Sequence, residues 1–456
     1  MRSSGLALAP FHAVRFDPDR VSGLADVTSP PYDVIGPGVV ARLLAAEPHN
    51  IVRLILPGAG TPQPPRGPAA SALAAAQLRD WLESGVLRPD PSPALYVYEQ
   101  SVPDGDGWAV VQRGLVGALR LVPPGSPAVL PHEDVMPGPV EGRRELMATT
   151  RANLEPIFLL YDGSAGPDAG PEAGSATATA LVDRVAETRA PLLTAVTDDG
   201  TRHRLWALTD PAEHAAVAAD LAARTALIAD GHHRYAAYLK LQDQERGAGR
   251  GDGPWDYGLA FLVDSAAYPP RIGAIHRVIP GLTPGRAAEM AKGAMRVERL
   301  ERAAEEDGAE GGADGGLGRA VTALAEAGRR GPAFLLTDGS EQYLLTGPAP
   351  DRVAEAMPAG HSARWQRLPA SVLRELLIQS VWGLADAEPD VLVIHGEPGA
   401  AVQAARDAGG TAVICNPESA ADVRAVAENG ERMPRKSTSF GPKPRTGLVL
   451  REWADE

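Results

Sequence analysis

The sequence predicts an α/β chain of the mixed α+β kind, with several mixed sheets and more than one core. Three observations predict it. Short apolar runs of strand type, such as residues 156–161 (PIFLLY) and 257–264 (YGLAFLVD), alternate with segments of helical period. Alternating stretches flank glycine turns at Asp104-Gly105-Asp106-Gly107 and Asp198-Asp199-Gly200, which is hairpin chemistry and brings antiparallel pairs into the sheets. The length, 456 residues, exceeds one ordinary core, so roughly two to four domains are expected. Hydrophobic residues make up 44% and charged residues 22%, enough apolar material to fill such cores. Three parts are expected: an N-terminal α/β domain at 1–162, a central domain at 178–300 and a C-terminal α/β domain at 317–456. The Pro/Gly-rich loops at 57–68 and 163–177 and the acidic, glycine-rich stretch at 301–318 mark the seams.

Taken in order, Ser29-Pro30-Pro31-Tyr32-Asp33 is a rigid turn, because both prolines fix φ and Pro31 restrains its predecessor. That stiffness either serves the turn alone or holds Tyr32 and Asp33 at a pocket. A helix is expected at 38–46, a strand at 50–56 (NIVRLIL) and a helix at 69–87, where Leu73, Leu78, Trp81 and Leu82 recur at helical spacing. Strands at 95–102 and 110–122 follow. His132-Glu133, before a helix at 141–153, is either a base or metal-ligand pair or a polar helix entry. The middle reads as a helix at 178–188, a hairpin at 192–208, a helix at 212–223 and a strand at 257–264. Another strand, 272–279, carries His276 and Arg277, which are a satisfied structural pair or part of a pocket lining. The remainder reads as a helix at 317–327, a hairpin at 333–345, a helix near 369–383 and strand–helix units at 390–407 and 411–429. His395 ends a strand, where α/β sheets present ligands.

The stretch that organises the chain is 225–238, TALIADGHHRYAAY. An apolar strand at 226–229 stops at Asp230-Gly231-His232-His233-Arg234, and a helix begins beyond it. A helix start presents N–H groups and a positive dipole end, and Arg234 with two histidines adds cationic donors. An anion is the expected guest, phosphate foremost. The tail, 432–447, repeats that chemistry: five Lys/Arg and the hydroxyls of Ser437, Thr438, Ser439 and Thr446 gather in an otherwise acidic chain.

Other classes are set aside. A net charge of −14 argues against a general nucleic-acid binder. The single cysteine, Cys415, sits in an apolar run and reads as inert packing, with no disulfide framework. No run of about 18 apolar residues offers a membrane span, and the N-terminal stretch is not of signal-peptide type, so a cytoplasmic protein is expected.

SPPYDVI, the His-Glu segment before an Arg-rich helix, IADGHHRY, IHRV and MPRKSTSFGPKPRTGLV stand in an order that resembles the DUF1015 family over nearly the whole chain. DGHHRY is also similar to the phosphate-loop box of the ParB/sulfiredoxin superfamily, which includes the free-serine kinases and implies a ParB/sulfiredoxin-like central portion. That resemblance implies that Gly231, His232, His233 and Arg234 hold phosphate and that Asp230 helps a metal or the substrate. Sulfiredoxin needs a cysteine where this chain has His232, which removes sulfinic-acid repair. ParB clamping of DNA is disfavoured by the charge. Where the family's His-Glu pair is followed shortly by a threonine, this chain has Val135.

The expectation is therefore a serine-kinase-like phosphotransferase acting on a small hydroxyl substrate, an amino acid or similar, with ATP, ADP or pyrophosphate as donor. Arg435, Lys436 and Lys443, with Ser437 and Thr438, would close over the donor phosphates. Asp33 or Glu133, beside His132, would take the alcohol proton, and Mg²⁺ would be held by Asp230 or Glu133. Tyr32, His276 and Arg277 would border the substrate. The alternative is a nucleotide- or phosphometabolite-binding regulatory protein without turnover. Neither nucleic acid nor membrane is expected as a partner; a homodimer is possible on the sequence.

Overall fold

Fully apolar runs become the central strands of the fold. Ile157–Tyr161 and Ala226–Asp230 are buried at every residue, as strands covered on both faces must be. The computed structural model describes residues 5–164, 177–301 and 314–453, so the seams read at 163–177 and 301–318 fall largely outside the described residues. Two compact units emerge, Met1–Pro270 with Pro442–Glu456, and Arg271–Gly441. Along the chain the second is an insertion into the first.

The first unit is built on a nine-stranded mixed sheet. Its order is Val129–Leu130, Ala226–Asp230, Ile157–Tyr161, Tyr257–Asp264, Gly107–Arg120, Leu95–Asp104, Arg202–Leu208 and Leu193–Val196, with Leu8–Ala9 also paired to Gly107–Arg120. Segments read separately as 1–162 and 178–300 thus contribute strands to one sheet. Tyr257–Asp264 runs parallel to Ile157–Tyr161 and antiparallel to Gly107–Arg120. The helices Ala178–Thr188, Pro211–Leu221 and His232–Gly247 bury Leu181, Val185, Val217, Leu221, Tyr238 and Leu241 in the core shared with this sheet.

A four-stranded sheet joins Leu87–Pro89, Ala13–Phe16, Leu450–Glu452 and Ala152–Asn153. Its core includes Ile51, Leu54, Ile55, Leu78 and Trp81. Here one expectation fails. NIVRLIL is not a strand; Val52–Ile55 is a single helical turn. Asn50 shapes it: its Oδ1 accepts from the Val52 N–H at 2.9 Å while its Nδ2 donates to the Thr28 carbonyl at 3.0 Å, a local side-chain-to-backbone pairing that outweighs β-branched propensity. The next helix, Pro68–Glu83, stops short of residue 87 because Gly85 turns left-handed at φ 74°.

The second unit holds a six-stranded sheet ordered Arg296–Arg299, Gln342–Thr346, Ala333–Thr337, Thr411–Cys415, Ile275–Ile279 and Leu392–His395. The strand expected at 272–279 is divided: Arg271–Gly273 pairs with Ser439–Gly441, and Ile275–Ile279 joins the larger sheet. The helix expected near 369–383 is the short Pro369–Ser371 running into a π-helix, Val372–Val381. Among the described residues no helix is long and apolar enough to cross a membrane.

Candidate functional site: the Asp230–Arg234 turn

The strand Ala226–Asp230 carries an irregularity between Ile228 and Asp230, and the chain then reverses at Gly231. Gly231 has φ 91°, and a Cβ there would lie 3.1 Å from both Arg234 Nε and Ile157 Cγ2. Conformation and close approach together require glycine. The helix His232–Gly247 follows at once, earlier than Tyr235, so both histidines and Arg234 occupy its first turn. N–H groups of a first turn have no partner four residues back within the helix, and the macrodipole favours negative charge there.

Asp230 and Arg234 face inward and are 6% and 1% exposed. Arg234 Nη2 donates to Asp230 Oδ2 at 2.5 Å, and Nη1 donates to the Pro156 carbonyl. Burial works against the guanidinium charge, but the neighbouring Glu155 and Asp33 hold its pKa above the ordinary arginine value. Arg234 therefore ties the underside of the turn to the adjacent strand. The other Asp230 oxygen, Oδ1, receives Lys443 Nζ. Burial lowers the lysine's pKa, while Asp33 and Glu133 oppose that shift; the ammonium thus lies within the field of three carboxylates.

The flanking residues converge from other segments. His232 Nε2 accepts from the His132 N–H at 3.3 Å, which in the neutral ring leaves the proton on Nδ1, and Nδ1 stands 4.0 Å from Glu133 Oε2. The two imidazoles meet edge to face at 4.5 Å. His233 Nε2 accepts from the Met136 N–H at 3.0 Å, so the segment 132–136 is docked on the helix start. The Tyr32 N–H donates to Glu155 Oε1 at 3.0 Å, and its ring lies under the Arg143 guanidinium at 4.1 Å. Asp33 beside it is exposed. Burial raises the Glu155 carboxyl pKa against the pull of Arg234 and Arg143.

What holds Lys443 there was not evident in the sequence. Gln112 Nε2 donates to the Pro442 carbonyl at 3.0 Å and Gln100 Nε2 to the Lys443 carbonyl at 3.1 Å. The Arg445 N–H donates to Tyr98 Oη at 3.1 Å, and Tyr98 is 2.8 Å from His203 Nδ1. Ser29 and Thr446 exchange backbone hydrogen bonds at 3.1 and 2.9 Å, joining the SPPYD segment to the tail. Polar Gln100, Gln112 and His203 inside strands were the available signal.

The remaining expected site residues belong to the second unit. His276 is satisfied on both nitrogens, with Nδ1 accepting from the Cys415 N–H at 3.2 Å and Nε2 3.0 Å from the Gly396 carbonyl. Arg277 donates to the carbonyls of Arg435 and Lys436, while those two side chains are exposed and Ser437 and Thr438 are partly covered. His395 is exposed at the end of its strand. Burial pushes the Cys415 thiol up to about 12, consistent with inert packing.

The magnesium expected at Asp230 does not fit, because one carboxylate oxygen meets Lys443 and the other Arg234. Among the described residues no group of three or more His, Cys, Asp or Glu is arranged to hold a metal ion.

A family model described as "Protein of unknown function (DUF1015)" matches residues 8–371. The chain belongs to the DUF1015 family. Among curated proteins, no match is found. Several solved structures resemble this DUF1015 chain. A free serine kinase in complex with AMP is 15% identical with a TM-score of 0.33, over 70% of this chain and 88% of that one. A conserved hypothetical protein from Pyrococcus furiosus is 12% identical with a TM-score of 0.33, over 70% and 90%. SbnI with a C-terminal truncation, from Staphylococcus aureus, is 11% identical with a TM-score of 0.32, over 70% and 82%. At TM-scores this low the likeness carries no functional weight.

Proposed function

We propose that the Asp230–Arg234 turn is the donor site of a small-molecule phosphotransferase of the serine-kinase type. It would move a phosphoryl group from ATP, ADP or pyrophosphate to a small hydroxyl substrate such as L-serine. One observation carries the reading: the Lys443 ammonium sits at a helix N-terminus with Asp33 and Glu133 in electrostatic reach. Phosphoryl transfer asks mainly for charge neutralisation, alignment and a group to take the hydroxyl proton. Donor phosphates would lie against the first turn from Gly231 to His233, and Lys443 would exchange Asp230 for phosphate oxygens. The alcohol proton passes to Asp33 or Glu133 as its oxygen bonds to the terminal phosphorus. The P–O bond to the leaving phosphate then breaks, and the leaving group keeps the electron pair. Asp230 is assigned no base role, because its Oδ2 stays bound to the buried Arg234. Glu133 has His232 Nδ1 nearby to orient it.

The test is a transfer assay with the three donors on wild type, Asp33→Asn, Glu133→Gln and Lys443→Gln. One carboxylate variant should lose about a hundredfold or more in kcat, the usual share of general-base catalysis, with donor KM little changed. Lys443→Gln should raise donor KM. No transfer from any donor to small alcohols removes the reading.

The commitment of Arg234 to Pro156 and Asp230 favours a second reading, binding of a nucleotide or phosphometabolite without turnover. It predicts that AMP, ADP or pyrophosphate raises Tm by mass action while no product forms.

A further inference from the structure

In the first unit a cavity of about 670 Å³ opens where the strand Gly107–Arg120 ends and Tyr257–Asp264 begins. Those two ends are in register, Tyr257 opposite Arg120, and the strand Leu450–Glu452 contributes Arg451 to the lining. The volume is that of a small-molecule site. Pro10, Phe11, Ala118, Pro254 and Trp453 give it apolar walls. Arg451 is 7% exposed. Strand pairing on both sides fixes its backbone, with Arg451 opposite Ala13 and Asn153. Its Nη1 donates to Asn153 Oδ1 at 3.0 Å and to the Tyr257 carbonyl at 3.1 Å, and Nη2 donates to the Pro254 carbonyl at 2.8 Å. All three acceptors are neutral, and among the described residues they leave Nε and one Nη2 hydrogen over. The guanidinium also stands 5.2 Å from the centre of the Trp453 ring. Burial lowers the Arg451 pKa to about 10, opposed by Tyr238 and Tyr257. A buried cation is ordinarily matched by an anion. The carboxylates of the lining do not supply one. Asp256 Oδ1 already accepts from Gln242 and Arg246, and its Oδ2 accepts from the Gly253 N–H. Asp252 and Arg120 are both exposed and bring opposite charges.

We propose that this cavity binds a small organic acid, with its carboxylate on Arg451 and its apolar or aromatic body against Phe11 and Trp453. A planar carboxylate fits the guanidinium fork. One uncompensated positive charge among apolar walls suits a monoanion, whereas a doubly charged phosphate would be buried with half its charge unmatched. The inference does not rest on the phosphotransferase reading.

The full chain is titrated calorimetrically with 3-phenylpropionate, its neutral amide 3-phenylpropanamide, and acetate. The acid should bind about tenfold more tightly than the amide, which lacks the charge-assisted bond. It should also bind more tightly than acetate by about tenfold or more, since acetate has no ring to bury. Arg451→Gln should erase the preference for acid over amide, and Trp453→Ala should weaken both probes alike. The comparison of acid with amide on the wild type decides even where Arg451→Gln does not fold. No binding of the acid, equal affinity for acid and amide, a preference that survives in Arg451→Gln, or unchanged affinities in Trp453→Ala each overturn the proposal. Displacement of the acid by AMP or pyrophosphate also overturns it, because the acid would then sit at the phosphate-donor turn; that result leaves the phosphotransferase reading standing.

Discussion

Arg234 and Arg277 are both buried arginines tied to main-chain carbonyls beneath a turn, one in each unit. Their surroundings differ. Arg234 is enclosed by carboxylates, touching Asp230 at 2.5 Å and lying in the fields of Glu155 and Asp33. Arg277 has Asp386 at 3.5 Å, and that carboxylate is shared with Arg374 at 3.7 Å. The first arginine cements an acidic interior; the second mainly orients a loop. In both places the arginine holds main-chain carbonyls and shapes the backbone above it.

Substitution puts that contrast at risk, and Arg234→Ala should have the largest effect. It leaves Asp230 and Glu155 buried with less compensation, so the first unit should lose about 3–5 kcal/mol, as broken buried pairs do. Hydrogen exchange on the strands Ala226–Asp230 and Ile157–Tyr161 would read it. A loss no greater than that of Arg277→Ala would break the comparison.

One buried group in each unit contributes a pH dependence of opposite sign. In the first, burial, helped by Arg445, holds His203 down at about 4 from the ordinary 6.5. Between those values the unfolded chain takes up a proton that the folded one refuses. The His203 contribution to stability of the first unit therefore falls as pH drops from 6.5 to 4, by about 3 kcal/mol. In the second, burial, with a smaller push from Asp422, lifts Glu418 to about 7 from 4.5. Here the folded chain keeps a proton the unfolded one releases, so the Glu418 contribution falls as pH rises from 4.5 to 7, also by about 3 kcal/mol. Hydrogen exchange across this range should show the first unit tightening and the second loosening as pH rises. His203→Gln and Glu418→Gln should flatten the respective slopes, and Glu418→Gln should stabilise the second unit above pH 7. Parallel slopes in the wild type would sink the assignment.

The smallest effect is expected for Arg277→Ala, about 2 kcal/mol, because Asp386 keeps Arg374 and mainly bonds to main-chain carbonyls are lost. A loss as large as that of Arg234→Ala would give Arg277 the same cementing role.

Local chemistry explains which features the sequence revealed. The glycine turn at 231, the helix after it and the apolar strands were readable because each depends on neighbours a few residues away. The basic tail was readable as phosphate-seeking composition, but the contact of Lys443 with Asp230 spans the whole inserted unit and has no sequence spacing to announce it. Glu155 and Arg143 passed unremarked as site residues, since one precedes the apolar strand Ile157–Tyr161 and the other looks like any helix arginine. Asn50 hid a helical turn inside a strand-like composition. His276, read as either structural or pocket-lining, has both ring nitrogens engaged by main chain.

The discontinuous first unit has a consequence for biosynthesis. Its turn is translated early, whereas Lys443 and the strand Leu450–Glu452 follow only after Arg271–Gly441. A nascent chain halted before residue 443 would carry the turn with Arg234 but without Lys443. The closing strand of the small sheet would be missing as well. Pairing of Lys443 with Asp230 therefore marks a fully translated insertion, and the candidate site matures only after Arg271–Gly441 has left the ribosome.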